Sequence, residues 1–170
     1  MARHKATFIQ IIKDNLATLR DHQYLTFTES GLLFSLSDVY ELHTNAIANH
    51  MGEFLSITKL GKIVGITREH TSKTINSLIR KGIILEISDP YELREFGRPI
   101  SKRPLFVNPE IIICGDRDRI NPTLAKLTMQ YDKLEEKGIL LDWKVIYRPG
   151  WDHGKLVRRK TYLKYKKTGT

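Results

Sequence analysis

Residues 56–84, SITKLGKIVGITREHTSKTINSLIRKGII, constrain this chain more than any other stretch. They predict a helix, a tight turn at Gly65, a second helix and the start of a strand. Gly65 supplies the positive φ that a sharp turn between two helices needs. Thr67 is placed to cap the second helix, its hydroxyl accepting from an otherwise unpaired N–H. Ile75 and Leu78 follow at helical spacing, and Gly82 stops the helix. With about 100° per residue, Thr71, Ile75 and Leu78 share a buried face, while Glu69, Lys73, Asn76 and Arg80 point away from it. His70, Ser72 and Ser77 flank the outer face, and Arg68 projects from the first turn. A helix that is apolar inside and polar and partly cationic outside suits the major groove of DNA. A helical hairpin without a ligand is the plain alternative.

The next residues predict a hairpin. Ile83–Ile87 is rich in branched side chains, as a strand should be. Asp89–Pro104 is turn-rich, and Leu105–Val107 reads as the returning strand. Arg94, Arg98, Lys102 and Arg103 make its tip and returning arm cationic, against Asp89, Glu92 and Glu95 on the early side. A charged surface hairpin explains this equally simply; beside a groove-binding helix, the same cations would reach flanking phosphates.

Leu60, Ile63, Val64, Gly65, Thr67, Arg68, Glu69, Ile75, Leu78, Gly82 and Ile83 form a pattern that resembles the helix-turn-helix of bacterial winged-helix regulators, of the catabolite-activator and MarR types. Thr71 departs from it, because a Val is usual there; a buried Thr can bond back to its own helix. The resemblance implies that Arg68, Glu69 and Lys73 touch bases or phosphates. A narrower likeness, over roughly residues 24–135, is carried by Val107-Asn108-Pro109, the apolar Ile111–Cys114 run and the Gly115–Asn121 segment. There the chain resembles RepL-type plasmid replication proteins and related phage-borne winged-helix proteins. That likeness implies binding to mobile-element DNA, with either replication or transcriptional control as the outcome.

The expected fold is mainly α with a small β-wing (α+β): a winged helix-turn-helix carrying an N-terminal helix and a basic C-terminal extension. The expected divisions are 1–22, an amphipathic helix with Phe8, Ile12, Leu16 and Leu19 at helical spacing over residues 5–20; 23–109, the winged domain; 110–137, a closing or dimerising helix; and 138–170, a basic segment forming a hairpin. Within the winged domain, residues 25–28 read as a short strand or extended entry, Glu29 to His43 as a broad helix, and 44–55 as a loop or short helix. Asn121 should cap a helix with Pro122 at its first position. Leu124, Leu127, Tyr131 and Leu134 then make a stripe of about two heptads, too short for a free-standing coiled coil. It would seal a homodimer or close the monomer core.

The net charge of +9 is concentrated at one end. From Trp143 to Thr170 there are nine basic residues and one acid, Asp152. Five aromatics run among them: Trp143, Tyr147, Trp151, Tyr162 and Tyr165. Such a patch suggests a polyanion partner, although a solvated basic tail is the simpler reading. A membrane-surface role fits less well, since no apolar anchor adjoins it. No apolar run approaches the ~20 residues of a membrane span, and the N-terminus lacks a signal-peptide core. The single cysteine, Cys114, should be a small buried residue rather than half of a disulfide or part of a zinc cluster.

No phosphate-binding glycine loop, dinucleotide fingerprint or nucleophile elbow occurs, and the six histidines show no metal-pair spacing. Asp116 and Asp118 alternate with Arg117 and Arg119, as in a solvated salt-bridge surface. The expectation is therefore a cytoplasmic, non-enzymatic protein without metal or cofactor. It would bind double-stranded DNA as a homodimer and regulate transcription; a replication initiator and a protein-interaction module on the same fold are the alternatives, with replication or transcription machinery as further partners. Expected base contacts are Arg68, Glu69, His70, Ser72, Lys73 and Asn76. Expected phosphate contacts are Thr67, Arg80, Arg94, Arg98, Lys102, Arg103, Arg158, Arg159 and Lys160.

Overall fold

A computed structural model describes residues 6–97 and 103–168. The elements in chain order are β1 (Ile9–Ile11), α1 (Lys13–Asp21), α2 (Phe27–Ser35), α3 (Ile57–Val64), α4 (Arg68–Arg80), β2 (Ile84–Glu86), α5 (Pro90–Phe96), β3 (Leu105–Val107), β4 (Ile112–Cys114), α6 (Pro122–Gln130), α7 (Lys133–Glu136), β5 (Trp143–Ile146), β6 (Lys155–Arg158) and α8 (Arg159–Thr168). The fold is mixed α/β, with small antiparallel sheets. Among the described residues, no helix is long and apolar enough to cross a membrane.

The N-terminal segment is not one helix. Three of the five residues 8–12 are β-branched isoleucines, and β1 pairs antiparallel with β4, Ile9 opposite Cys114 and Ile11 opposite Ile112. Only residues 13–21 are helical. Buried Asn15 anchors this helix, donating to Glu110 O and Trp143 O at 2.6 and 2.9 Å and accepting from Trp143 N at 3.0 Å. The short strand expected at 25–28 is a helix entry instead. Thr26 accepts from Glu29 N at 3.1 Å while the Glu29 carboxylate accepts from Thr26 N at 3.0 Å, a reciprocal capping box. The helix expected to reach His43 ends at Ser35, and a 3-10 turn follows at Ser37–Val39.

Residues 45–47, expected in a loop or short helix, run beside β3. Ile47 N donates to Leu105 O at 2.9 Å and Val107 N to Asn45 O at 3.0 Å. On its other edge β3 pairs with β2, Ile84 opposite Val107 and Glu86 opposite Leu105. The buried Asn45 amide ties this ladder to β4, donating to Val107 O and Ile112 O and accepting from Cys114 N, at 2.7–3.0 Å. Cys114 is buried and its thiol donates to Tyr40 O, as a structural cysteine would.

Between β2 and β3, the turn-rich segment holds a helix. Asp89 caps α5 and Pro90 fills its first position. Phe96 packs edge-on to Phe106 at 5.1 Å between ring centres, fixing α5 to the core.

Asn121 caps α6 as expected, accepting from Thr123 N and Leu124 N. The helix stops at Gln130, however, so the four-residue stripe is split between α6 and α7. Leu124, Leu127 and Leu134 are buried within this chain's own core, and Tyr131 lies at the surface. The stripe therefore closes the monomer, and its leucines are not available to seal a dimer.

The C-terminal hairpin forms, with Trp143 opposite Arg158 and Ile146 opposite Lys155. Its second arm then turns into α8, where the sequence suggested a continuing strand. Lys144 points inward and is only 1% exposed. Its ammonium meets Glu110 at 3.0 Å, Asp132 closer still, and Glu135 at 3.9 Å. Burial pushes the Glu110 carboxyl up to about 7, with Asp132 adding to the rise and Lys144 opposing it.

Candidate nucleic-acid interface

α3, Gly65 and α4 form the predicted helix, turn and helix. Ser56 caps α3, accepting from Lys59 N at 3.2 Å. Gly65 ends α3 with φ 76°. Thr67 caps α4, accepting from His70 N at 3.2 Å. The inner face of α4 holds Thr71, Thr74, Ile75 and Leu78, all buried. Thr71 satisfies its hydroxyl on Thr67 O at 2.8 Å, which explains why a Thr is tolerated there. Thr74 does the same on His70 O at 2.9 Å.

Two residues that sequence reasoning passed over set the position of α4. A Cβ on Gly61 would lie 2.9 Å from both Ile66 O and Thr71 Oγ1, so only glycine lets α3 approach the turn this closely. Glu29, buried on α2, accepts from Ser77 Oγ at 2.6 Å and from Lys81 Nζ at 2.8 Å. Burial opposes its ionisation, but the bonds from Lys81, Ser77 and Thr26 outweigh that and hold its carboxyl below the usual range. The T-x-x-E spacing from Thr26 was a readable sign of its capping role; its bond to Ser77 spans 48 positions and has no local sign. At the C-terminal end, Lys133 and Lys137 donate to Ile79 O and Arg80 O at 2.9 and 3.0 Å. Cations there satisfy orphan carbonyls and the helix dipole.

On the outer side, Arg68, Glu69, His70, Lys73 and Arg80 are exposed, and Ser72 and Asn76 are half-buried. Lys73 and Glu69 lie 3.6 Å apart on successive turns, both well exposed, a pairing worth only a few tenths of a kcal/mol. Arg103, at the foot of the β2–β3 hairpin, donates from Nε to Glu86 at 2.6 Å and from Nη2 to Asn76 Oδ1 at 3.2 Å. Arg94 on α5 is exposed and lies 5.6 Å from the centre of the Tyr91 ring. Arg98 and Lys102 lie outside the described residues.

The basic segment divides. Arg159 is turned inward, with two contacts to Glu135 and a third bond to Leu141 O at 3.1 Å. That guanidinium is spent on holding α8 to α7, so Arg159 is not a free phosphate contact. Arg158 is exposed and lies 4.3 Å from the centre of the Trp143 ring. Lys160, Lys164, Lys166 and Lys167 are exposed on α8. Among the described residues, no cluster of His, Cys, Asp and Glu could hold a metal ion.

No protein-family model matches the chain, and no solved structure matches it. It is similar to an uncharacterized 23.6 kDa protein of Bacillus thuringiensis, with 27% identity over 137 residues, 78% of this chain. The match covers 66% of that relative, so the chain spans just under two thirds of the length of the curated protein it resembles.

Proposed function

We propose that this chain is a winged helix-turn-helix protein that binds double-stranded DNA in a sequence-dependent way. One observation carries the reading: α4 is held from behind by α2, α3 and α7, while its polar side stays open to solvent. In this reading α4 enters the major groove, with Arg68, His70, Ser72, Lys73 and Asn76 reading base edges and Glu69 accepting from cytosine or orienting Arg68. Arg80, Arg103 and Arg94 serve the phosphates. The antiparallel pair of β2 and β3, with residues 45–47 bridged to the other edge of β3, supports the winged reading, because its first strand follows α4 directly. The exposed lysines of α8 add a sequence-independent electrostatic contribution.

The biological role that follows best is transcriptional control in a bacterial, plasmid or phage setting, in the cytoplasm and without catalysis. Replication initiation is the second reading, favoured by the likeness around Val107–Pro109 and Gly115–Asn121 to RepL-type proteins. Selection of bound duplexes from a random pool tests the DNA-binding reading. An enriched sequence whose affinity falls with salt is expected; no enrichment and no salt-sensitive affinity for any duplex would refute it. Once a target is known, a change in transcript level without a change in copy number separates control from initiation.

A further inference from the structure

The turn that joins β5 to β6 contains Arg148-Pro149-Gly150-Trp151. Pro149 fixes its own φ and Gly150 has a φ of 90°, the pair that a type II turn asks for at its two central positions. Trp151 N closes the turn on Arg148 O at 3.0 Å. The ends of such a turn lie side by side, and the Arg148 Cζ sits 5.6 Å from the centre of the Trp151 ring. A second ring comes from α8: the centre of Tyr165 lies 4.9 Å from the same carbon, and its hydroxyl donates to Tyr147 O. Gly154 anchors the far end of the turn, because a Cβ there would collide with Ala125 on α6. The arrangement is thus set before any ligand arrives.

Arg148 is half-buried, and among the described residues its guanidinium joins no hydrogen bond or ion pair. Its Nε is fully buried without an acceptor. A buried donor left so is rare and points to an acceptor supplied from outside. Lys155 is exposed with its ammonium 5.4 Å from the Trp151 ring centre, and the one acid of the turn is the exposed Asp152. The ligand is therefore an anion, and the rings narrow it further. The other aromatics of the basic segment are engaged: Tyr162 is buried, Tyr147 packs on the core, and Trp143 donates to Asp14 with Arg158 over its ring. Trp151 and Tyr165 instead flank an unpaired cation. A small anion or an acidic peptide would use the cation and leave the rings idle, and a duplex keeps its base faces inside its own stack. A single strand offers a phosphate and an open base face together.

We propose that the β5–β6 turn and α8 form a binding site for single-stranded nucleic acid. Arg148 and Lys155 hold backbone phosphates, and one unpaired base stacks on Trp151. Lys155 joins no ion pair among the described residues, so it leaves the ring to the base at little cost. Tyr165 is a positioning residue that backs the guanidinium from α8. These elements are separate from α4 and from α2, α3 and α7 behind it, so the site does not rest on duplex recognition.

Titration of a labelled thymidylate oligomer of about 12 nucleotides with the full chain, read by fluorescence anisotropy, provides the test. The wild type should bind it roughly 5- to 150-fold more tightly than an abasic deoxyribose-phosphate oligomer of the same length and charge, the scale of one stacked base. This comparison needs no variant. Trp151→Ala should lose that factor on the thymidylate oligomer and change nothing on the abasic oligomer or on a duplex. Trp151→Phe, which keeps a ring, should retain most of the affinity. Arg148→Gln should weaken both oligomers and make the slope of log affinity against log salt shallower by about 0.7. A uridylate oligomer run beside the first tells a DNA strand from an RNA strand. Equal wild-type affinity for the thymidylate and abasic oligomers overturns the proposal, as does equal affinity for a polyglutamate peptide. So does a folded Trp151→Ala variant that binds as the wild type does. Failure to bind any duplex would refute the reading of α4 and leave this result standing.

Discussion

Arg103 donates to Asn76 Oδ1 at 3.2 Å while its Nε holds Glu86. A residue at the foot of the hairpin thus fixes the amide of a residue on the outer side of α4. The bond uses one lone pair of the Asn76 oxygen, and Nδ2 makes a 3.5 Å contact to Ser72 Oγ. The second lone pair of Oδ1 can accept from adenine while Arg103 holds the amide in place, so Arg103 is a positioning residue as well as a cation. Arg103→Lys keeps the charge but loses the fork. It should reduce discrimination between selected and random duplex while leaving affinity for random duplex nearly unchanged, as measured by competition titration.

Gly61→Ala should destabilise the fold. Alanine is the better helix former by about 1 kcal/mol, but its methyl would meet Ile66 O and Thr71 Oγ1 at 2.9 Å. One of those atoms is backbone and the other belongs to a hydroxyl already bonded within α4, so neither yields easily. A net loss of about 1–3 kcal/mol is expected from urea unfolding. Equal or greater stability would mean that α3 and α4 have room to separate at this point.

Acid should weaken the contact between α2 and α4. The Glu29 carboxyl is held below its usual range, so the folded state binds its proton less readily than the unfolded chain. Its contribution is fully present above the unfolded value of about 4.3 and is lost as pH falls through the lower folded value. Glu29→Gln should therefore cost about 1–3 kcal/mol at neutral pH, the scale of hydrogen bonds to a charged group. It should also flatten the acid limb of stability against pH, measured by urea midpoints across that range.

The lysines of α8 should contribute to affinity but not to choice of sequence. Neutralising Lys160, Lys164 and Lys167 together to Gln should weaken binding to every duplex alike. The slope of log affinity against log salt should become shallower by about 0.9 for each phosphate that these lysines neutralise in the wild type. An unchanged slope would show that α8 lies away from the nucleic acid. Truncation after Leu141 would be a poorer test, because it removes buried Val145, Leu156 and the Lys144 ion cluster from the core.

The legible parts of this fold are those whose cause is local. Gly65, Thr67, the apolar spacing of α4, and Asn121 with Pro122 each act within a turn or two, and the structure places them as the sequence suggests. Phe8, Ile12, Leu16 and Leu19 have helical spacing, but a strand stands between Phe8 and Ile12, because β1 is set by a partner about a hundred positions away. Local propensity cannot show such a pairing. α5 was hidden among Pro and Gly, although Asp89 before Pro90 is a helix-start signal. The candidate site divides the same way. The outer face of α4 follows from angular spacing, whereas the Arg103–Asn76 bond and the Glu29 contact to Ser77 join segments 27 and 48 positions apart. Arg159 shows the converse, since a cation in a basic run is claimed by Glu135.

If the open side of α4 reads DNA sequence, substitutions there must change choice of duplex more than general affinity. The decisive comparison is the affinity of the wild type, Lys73→Ala and Asn76→Ala for the duplex enriched by selection and for random duplex, at one fixed salt concentration. Each substitution at a true base contact should reduce the free-energy gap between the two duplexes by about 1–3 kcal/mol. Equal losses on both duplexes, or none on either, would show that α4 does not read sequence.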